Sequence, residues 1–558
     1  MDIQFDHYHT HEERTAILRG LAERFPKLAE LYSIGQSHRG REIWVMEMTN
    51  RETGSPESKP GFYIDANCHG EEVIGSEVAL YSVWYILTQY GEDPFVTEVL
   101  ETRVLYVLPN INPDGAEWSI TTPYHHVGNG HYPFWEEPKT GLRREDLNQD
   151  GYIVDMRVED PVGEWKVSDK DPRLLIRRQP GDVGGTYYRL YPEGRVLDYD
   201  GVNVKMGKPR HGNLNRQYPA YWGPEEVEYG AGEVPLNEPE AKAIADFVLD
   251  HPNIAGAQAY HSHGGVILRQ SSNKPDNDLP SGDVRLFKYI GELGTELTGY
   301  PCISTYEDFT AEEHNVRHGG FCDWLYEWLG IVPFTTELWD VETAAGVEKV
   351  QFFMERGRTE EEQLQLLQWA DENSEDGFVN WEPFDHPQLG RVEIGGWNNM
   401  FIFRNPPPKL IKEIADPNLL FTLHHAACSP LVRIQSLNVT PTAPGVFNVE
   451  AIVGNEGYLP TNLTDRALEL DKIPAVSVSL VGEEDMEFVV GEAEQKLGHL
   501  AGYSERRHPW NAWGPDWSPT RVKATWQVRI PEGESREIEV IAASQKGGTI
   551  SRAIMLEA

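Results

Sequence analysis

Apolar positions recur every three to four residues over "HEERTAILRGLAERFPKLAELYS" and again over "GSEVALYSVWYILTQYG", the spacing of a helix with one buried face. Between such stretches stand short apolar runs: "GFYI" at 61–64, "RVLYVLPNIN" at 103–112, "AGAQAYHSHGG" at 255–265 and "IVPFTTELWD" at 331–340. Runs of this length, bounded by turn residues, predict buried strands. A further helix is predicted over "NEPEAKAIADFVLDHP" (237–252), with Asn237 as its N-cap and Glu and Pro in its first turn, and another around "FCDWLYEWLG" (321–330). This alternation, sustained over about the first 420 residues, predicts an α/β fold: a mostly parallel or mixed sheet with helices on both faces.

The pattern breaks twice. Between about 121 and 235 periodicity fades and Gly, Pro, Asp and Tyr dominate, and so long an irregular stretch inside a compact domain is usually functional. From about 430 the chain switches to period-2 runs such as "VFNVEAIVGN", "AVSVSLVG" and "VKATWQVRIP", separated by turn residues, which predict an all-β sandwich. The expected organisation is an α/β catalytic domain over 1–426, carrying an irregular insertion at about 121–212, followed by an immunoglobulin-like or transthyretin-like sandwich over 427–558.

Length fits that division, since 558 residues exceed what one ordinary core holds. The formal charge of −40 excludes nucleic acid and anionic membrane surfaces as partners, because the long-range field repels both. Four cysteines without a C-x-x-C pair offer neither a disulfide framework nor a thiolate metal site, which points to a reducing compartment. The amino terminus shows no basic and apolar leader and no run of 18 apolar residues occurs, so a cytoplasmic protein without a membrane span is expected.

Candidate chemistry concentrates where the strands end. "DANCHGEEV" at 65–73 sets His69 and Glu72 three residues apart at a strand-to-helix turn, where both can face one ion. An imidazole and a carboxylate suit Zn²⁺, and a catalytic zinc wants a third protein ligand from another element. The same chain then presents, in order, "NINPDG" (110–115), "NLNRQYPAYWG" (213–223), "AYHSHGG" (259–265) and "TTELWD" (335–340). In this ordered set, over roughly residues 5–345, the sequence resembles the zinc carboxypeptidases, the metallopeptidase family related to digestive carboxypeptidase A.

The resemblance implies a mixed eight-stranded sheet flanked by helices, and hydrolysis of the C-terminal bond of peptides or proteins. It implies that His69, Glu72 and His261 hold zinc, with the first histidine of "YHSHGG" chosen over His263. Glu337 matches the general base, which would take the proton of a zinc-activated water and pass it to the leaving amine. Asn215 and Arg216 match the pair that grips the substrate carboxylate, a task a planar guanidinium performs bidentately. An arginine that polarises the scissile carbonyl is expected after "NPDG"; of Arg143, Arg144 and Arg157, the last closes a strand-like run and is preferred.

Departures from the family pattern carry their own expectations. No tyrosine precedes Gly319-Gly320, where a lid residue is expected; His314, Asn315, His318 or the upstream Tyr306 would have to serve. The pocket-floor position falls on Cys322 rather than an acid, and Arg269 lies where the side-chain pocket is shaped, which suggests a preference for acidic or polar terminal residues. Asp146, Asn148 and Asp150 ahead of Gly151 reproduce the opening of a calcium loop, although position twelve is Arg157 and not a bidentate Glu. A zinc amidohydrolase acting on N-acyl amino acids, or an inactive scaffold with a binding sandwich, are the alternative readings.

Overall fold

The computed structural model describes residues 3–309, 316–348, 358–504 and 519–557. Eight strands form one mixed sheet: β1 (Ala29–Gln36), β2 (Glu42–Met48), β3 (Gly61–Ala66), β4 (Val104–Leu108), β5 (Ile254–Ser262), β6 (Val266–Arg269), β7 (Cys302–Ser304) and β8 (Val332–Leu338). Their order is β1-β2-β4-β3-β5-β8-β6-β7. The four central strands β4, β3, β5 and β8 run parallel. Every residue of β3, β4 and β5 is buried, as strands covered on both faces must be. Their carboxyl ends therefore share one edge, where open α/β sheets present functional side chains.

Helices cover the sheet. α1 (His11–Arg24) opens with a capping box from Thr10 and Glu13. α2 (Ile74–Gln89) is apolar over most of its surface and lies in the core beside α6 (Ile411–Ala427). α3 (Pro113–Thr121) has Asn112 as its N-cap and Pro113 at its first position, so "NPDG" is a helix start. α4 (Pro239–Asp250) starts one residue later than the sequence predicts: Glu238, not Asn237, is the N-cap, and its carboxylate does not cap the helix. α5 (Phe321–Leu329) precedes β8.

The stretch that reads as irregular supplies four of the six strands of a second sheet. Strands 155–159, 165–167, 175–177 and 188–192 join strands 378–386 and 390–397 in a six-stranded sheet, with Arg157 opposite Glu393. Several of its strands are only three to five residues long, too short to show a period, and strand 155–159 also pairs with a partner more than 200 residues away. The C-terminal region consists of two four-stranded antiparallel sheets whose inward residues, including Val449, Val478, Trp526 and Val540, form one core. It docks on the larger domain through Lys546, a buried side chain that donates to Ile254 O at 2.7 Å at the start of β5. Burial pushes that ammonium down to about 7. Among the described residues, no helix is long and apolar enough to cross a membrane.

Candidate metal centre and its cavity

β3 ends at Ala66 and the chain turns through Asn67, whose φ of 62° lies in the left-handed region that asparagine tolerates. Its Nδ2 donates to His69 O at 2.6 Å and its Oδ1 accepts from Ser76 Oγ at 2.8 Å, so the turn is fixed against α2. Gly70 is required because a Cβ there would stand 2.7 Å from Gly115 Cα. That approach presses the start of α3 beneath the turn. His69 and Glu72 thus sit on the turn itself, since α2 begins only at Ile74.

β5 and β8 lie in parallel register with His261 paired to Glu337, so the third candidate ligand and the candidate base arrive side by side. His69 Nδ1 stands 2.8 Å from Glu72 Oε1, His261 Nδ1 stands 3.0 Å from Glu72 Oε2, and the two Nδ1 atoms are 3.3 Å apart. Atoms held about 2.0–2.2 Å from one tetrahedral ion stand about 3.3–3.6 Å apart, close to these separations. Glu72 Oε2 is buried yet accepts no hydrogen bond, because the nearby ring nitrogen does not align with it. Three donors directed at a common centre, one of them orphaned, fit a divalent cation.

Charge reinforces the fit. Burial disfavours ionised Glu72, but His69 and His261 outweigh it and hold the carboxyl well below its usual range. Burial likewise opposes the imidazolium of His261, yet Glu72 and then Glu337 raise it to about 9. At Glu337, burial and after it the Glu72 carboxylate push the group well above the ordinary carboxylate range. The residues open onto a cavity of about 270 Å³, also lined by Asn215, Arg216, Arg317, Cys322, Asp323 and Arg404.

A sequence model of the zinc carboxypeptidases matches residues 15–365. The chain belongs to the zinc carboxypeptidase family. Membership implies Zn²⁺ as the metal that the three donors would hold. Among curated relatives, carboxypeptidase D of Drosophila melanogaster is 36% identical over 362 residues, 59% of this chain and 20% of that protein. Human carboxypeptidase Z is 32% identical over 303 residues, 53% of this chain and 37% of that protein. The chain therefore spans well under two thirds of these relatives' length. A solved structure of thrombin activatable fibrinolysis inhibitor aligns with a TM-score of 0.44 at 16% identity, covering 76% of this chain and 74% of that one. A second sequence model, described as a domain of unknown function, matches residues 431–555.

Within this member of the family the residues predicted for the site divide clearly. His69, Glu72, His261, Glu337, Asn215 and Arg216 share the cavity. Arg216 Nε is held by Glu228 at 2.8 Å and its Nη1 donates to Asn215 O at 2.7 Å, while Asn215 Oδ1 accepts from Phe321 N at 3.0 Å. His263 stands outside the ligand cluster, beside Arg404, and burial lowers it to about 4.

Four expectations need correction. Arg157 is not a cavity residue: it lies in the six-stranded sheet, ion-paired to Glu393 at 2.8 Å and set between the rings of Tyr188 and Trp381. Arg143 and Arg144 do not line the cavity either. Arg269 is buried but paired to Asp276, so its charge is spent before it reaches a substrate. At the expected calcium loop, Asn148 Oδ1 accepts from Asp150 N and Asp150 Oδ1 from Tyr152 N in Asx turns, and Asp146 Oδ2 accepts from Gly151 N across the loop. No metal-competent group of described residues includes them. Of the lid candidates, His314 and Asn315 lie outside the described residues, and His318 Nδ1 faces Tyr221 O at 2.8 Å.

Sequence reasoning missed Arg404 and Asp323. Arg404 Nη2 pairs with Glu71 at 2.9 Å, and its Nη1 donates to Ser262 O at 3.2 Å and stands 3.9 Å from Glu72 Oε1. Its neighbour Asn405 donates to Glu71 O at 2.8 Å and accepts from Ile74 N at 3.0 Å, which caps α2. Glu71 is therefore an anchor for this segment. Asp323 Oδ1 accepts from Ser272 N at 3.0 Å, while Oδ2 is buried without a partner. Gln270 Oε1 is similarly unpartnered in the same cavity.

Proposed function

We propose that the protein is a zinc-dependent carboxypeptidase that releases a C-terminal residue bearing a cationic side chain. The observation that carries the activity is the convergence of His69, Glu72 and His261 beside Glu337 in one cavity with a guanidinium–amide pair. When bound by those three residues, zinc supplies a Lewis acid that polarises a carbonyl and acidifies water.

The chain's own residues do the rest. Arg216, oriented by Glu228, and Asn215 take the terminal carboxylate of the peptide. Glu337 removes a proton from the attacking water and returns it to the leaving amine. Arg404 replaces the predicted Arg157 as the donor that faces negative charge developing on the carbonyl oxygen; its position 3.9 Å from Glu72 supports this role. Two buried acceptors without donors, Asp323 Oδ2 and Gln270 Oε1, would be satisfied by an ammonium or guanidinium from the substrate. Arg269, being neutralised, gives no support to an acidic preference.

The test compares N-blocked dipeptides ending in Lys, Phe and Glu, before and after chelation and Zn²⁺ return. Metal-dependent cleavage with Lys fastest is expected. No cleavage of any of the three in the presence of Zn²⁺ would refute the enzyme reading, hydrolysis that survives complete chelation would refute its zinc dependence, and faster release of Glu would refute the cationic preference alone.

A further inference from the structure

A second group of two histidines and a glutamate occurs away from the catalytic cavity. His38 lies in the turn between β1 and β2, His131 in the stretch after α3, and Glu238 at the N-cap of α4. His38 Nε2 stands 2.6 Å from Glu238 Oε2, and His131 Nδ1 stands 3.1 Å from Glu238 Oε1. These are the separations found among His69, Glu72 and His261. Among the described residues, only these two groups bring three such donors together.

Charge balance asks for a cation here. Glu238 is buried, and among the described residues its ion-pair partners are the two histidines. Glu240, fully buried, accepts from His38 N at 3.2 Å and shares the Asn129 amide with Glu238, at 2.9 and 2.8 Å, with no lysine or arginine paired to it. Protonating both imidazoles would be one remedy, but their rings are stacked with centroids 4.4 Å apart, so two cations would repel at close range. One divalent ion shared by neutral rings removes that repulsion and balances two carboxylates. The backbone of Gly212 packs closely on this carboxylate, since a Cβ there would lie 2.9 Å from Glu238 Oε1.

We propose that His38, His131 and Glu238 form a second, structural site for a first-row divalent cation such as Zn²⁺, distinct from the catalytic one. The ion would tie the stretch containing His131 to the sheet edge and to α4. Val127, four residues earlier, lines the catalytic cavity, so the second ion would steady one wall of the first site.

Equilibrium dialysis of the full chain against Zn²⁺, followed by elemental analysis, tests this. Two ions per chain are expected in the wild type and one each in His131→Gln and His261→Ala. His38→Gln, at an exposed position, serves as a second variant if His131→Gln folds poorly. Two ions retained by both glutamine variants, or one ion in the wild type and none in His261→Ala, would overturn the proposal. One ion in the wild type and none in His131→Gln would uphold this site and refute the catalytic metal site instead.

Discussion

The groups His69–Glu72–His261 and His38–His131–Glu238 use the same donors at similar separations, and differ in what surrounds the carboxylate. Glu72 keeps one buried oxygen without a hydrogen bond and faces a cavity with a second carboxylate, Glu337, beside it. Glu238 has both oxygens occupied, with Asn129 and Asn237 donating at 2.8 and 3.1 Å in addition to the histidines. The donor set alone thus does not make a reactive centre. An open cavity beside the donors is what the first group has and the second lacks: His69, Glu72, His261 and Glu337 all line one.

The largest effect that would sharpen this contrast is at the acceptor. Glu337→Gln is expected to lower kcat by about 10²–10⁴ while leaving metal content unchanged, checked by steady-state kinetics with elemental analysis. Glu238→Gln should instead lower thermal stability, by about 1–3 kcal/mol, with kcat falling far less. Equal kinetic losses in both variants would erase the distinction. Next in size, Arg404→Ala is expected to cost about 10²–10³ in kcat with little change in KM, and Arg404→Lys to recover part of it. A loss confined to KM would make Arg404 a binding residue.

Selectivity offers a smaller, signed test of the reactive side. Burial pushes Asp323 up to about 6. Its carboxylate form is the one that accepts a cationic side chain, so the kcat/KM ratio for Lys over Phe should rise as pH increases through about 6 and then level off. Asp323→Asn should flatten that curve and reduce the ratio by about 10-fold. The smallest effect belongs to the quiet group: His131→Gln is expected to lower Tm in Zn²⁺ by about 2–4 °C, a difference that chelation should abolish.

What the amino-acid order revealed follows from how local each feature is. β3, β5 and β8 are apolar runs ending in polar residues, and His69, His261 and Glu337 sit at those ends, so the fold and the grouping of these side chains were legible together. Arg404 was not, because its segment "FRNPP" has no periodicity of its own and acquires meaning only by reaching Glu71 and Ile74 across more than 300 residues. Arg157 misled for the complementary reason: a strand-like run was rightly read, but it belongs to a sheet whose other strands lie at 378–397. The cluster of His38, His131 and Glu238 joins three elements that no spacing rule connects, and Glu238 resembled an ordinary helix-start acid.

The reach of Arg404 and Asn405 back to the metal turn also bears on how the protein is born. Chains emerge from the ribosome at about 5–20 residues per second, so His69, His261 and Glu337 are exposed several seconds before the residues that brace their turn. Arg404 lies 39 positions past the end of the matched segment at 365, and until it arrives the turn carrying His69 and Glu72 lacks both its guanidinium and the amide that caps α2. Until translation has carried past Asn405, the turn that holds His69 and Glu72 is therefore without the contacts that fix it in the finished fold.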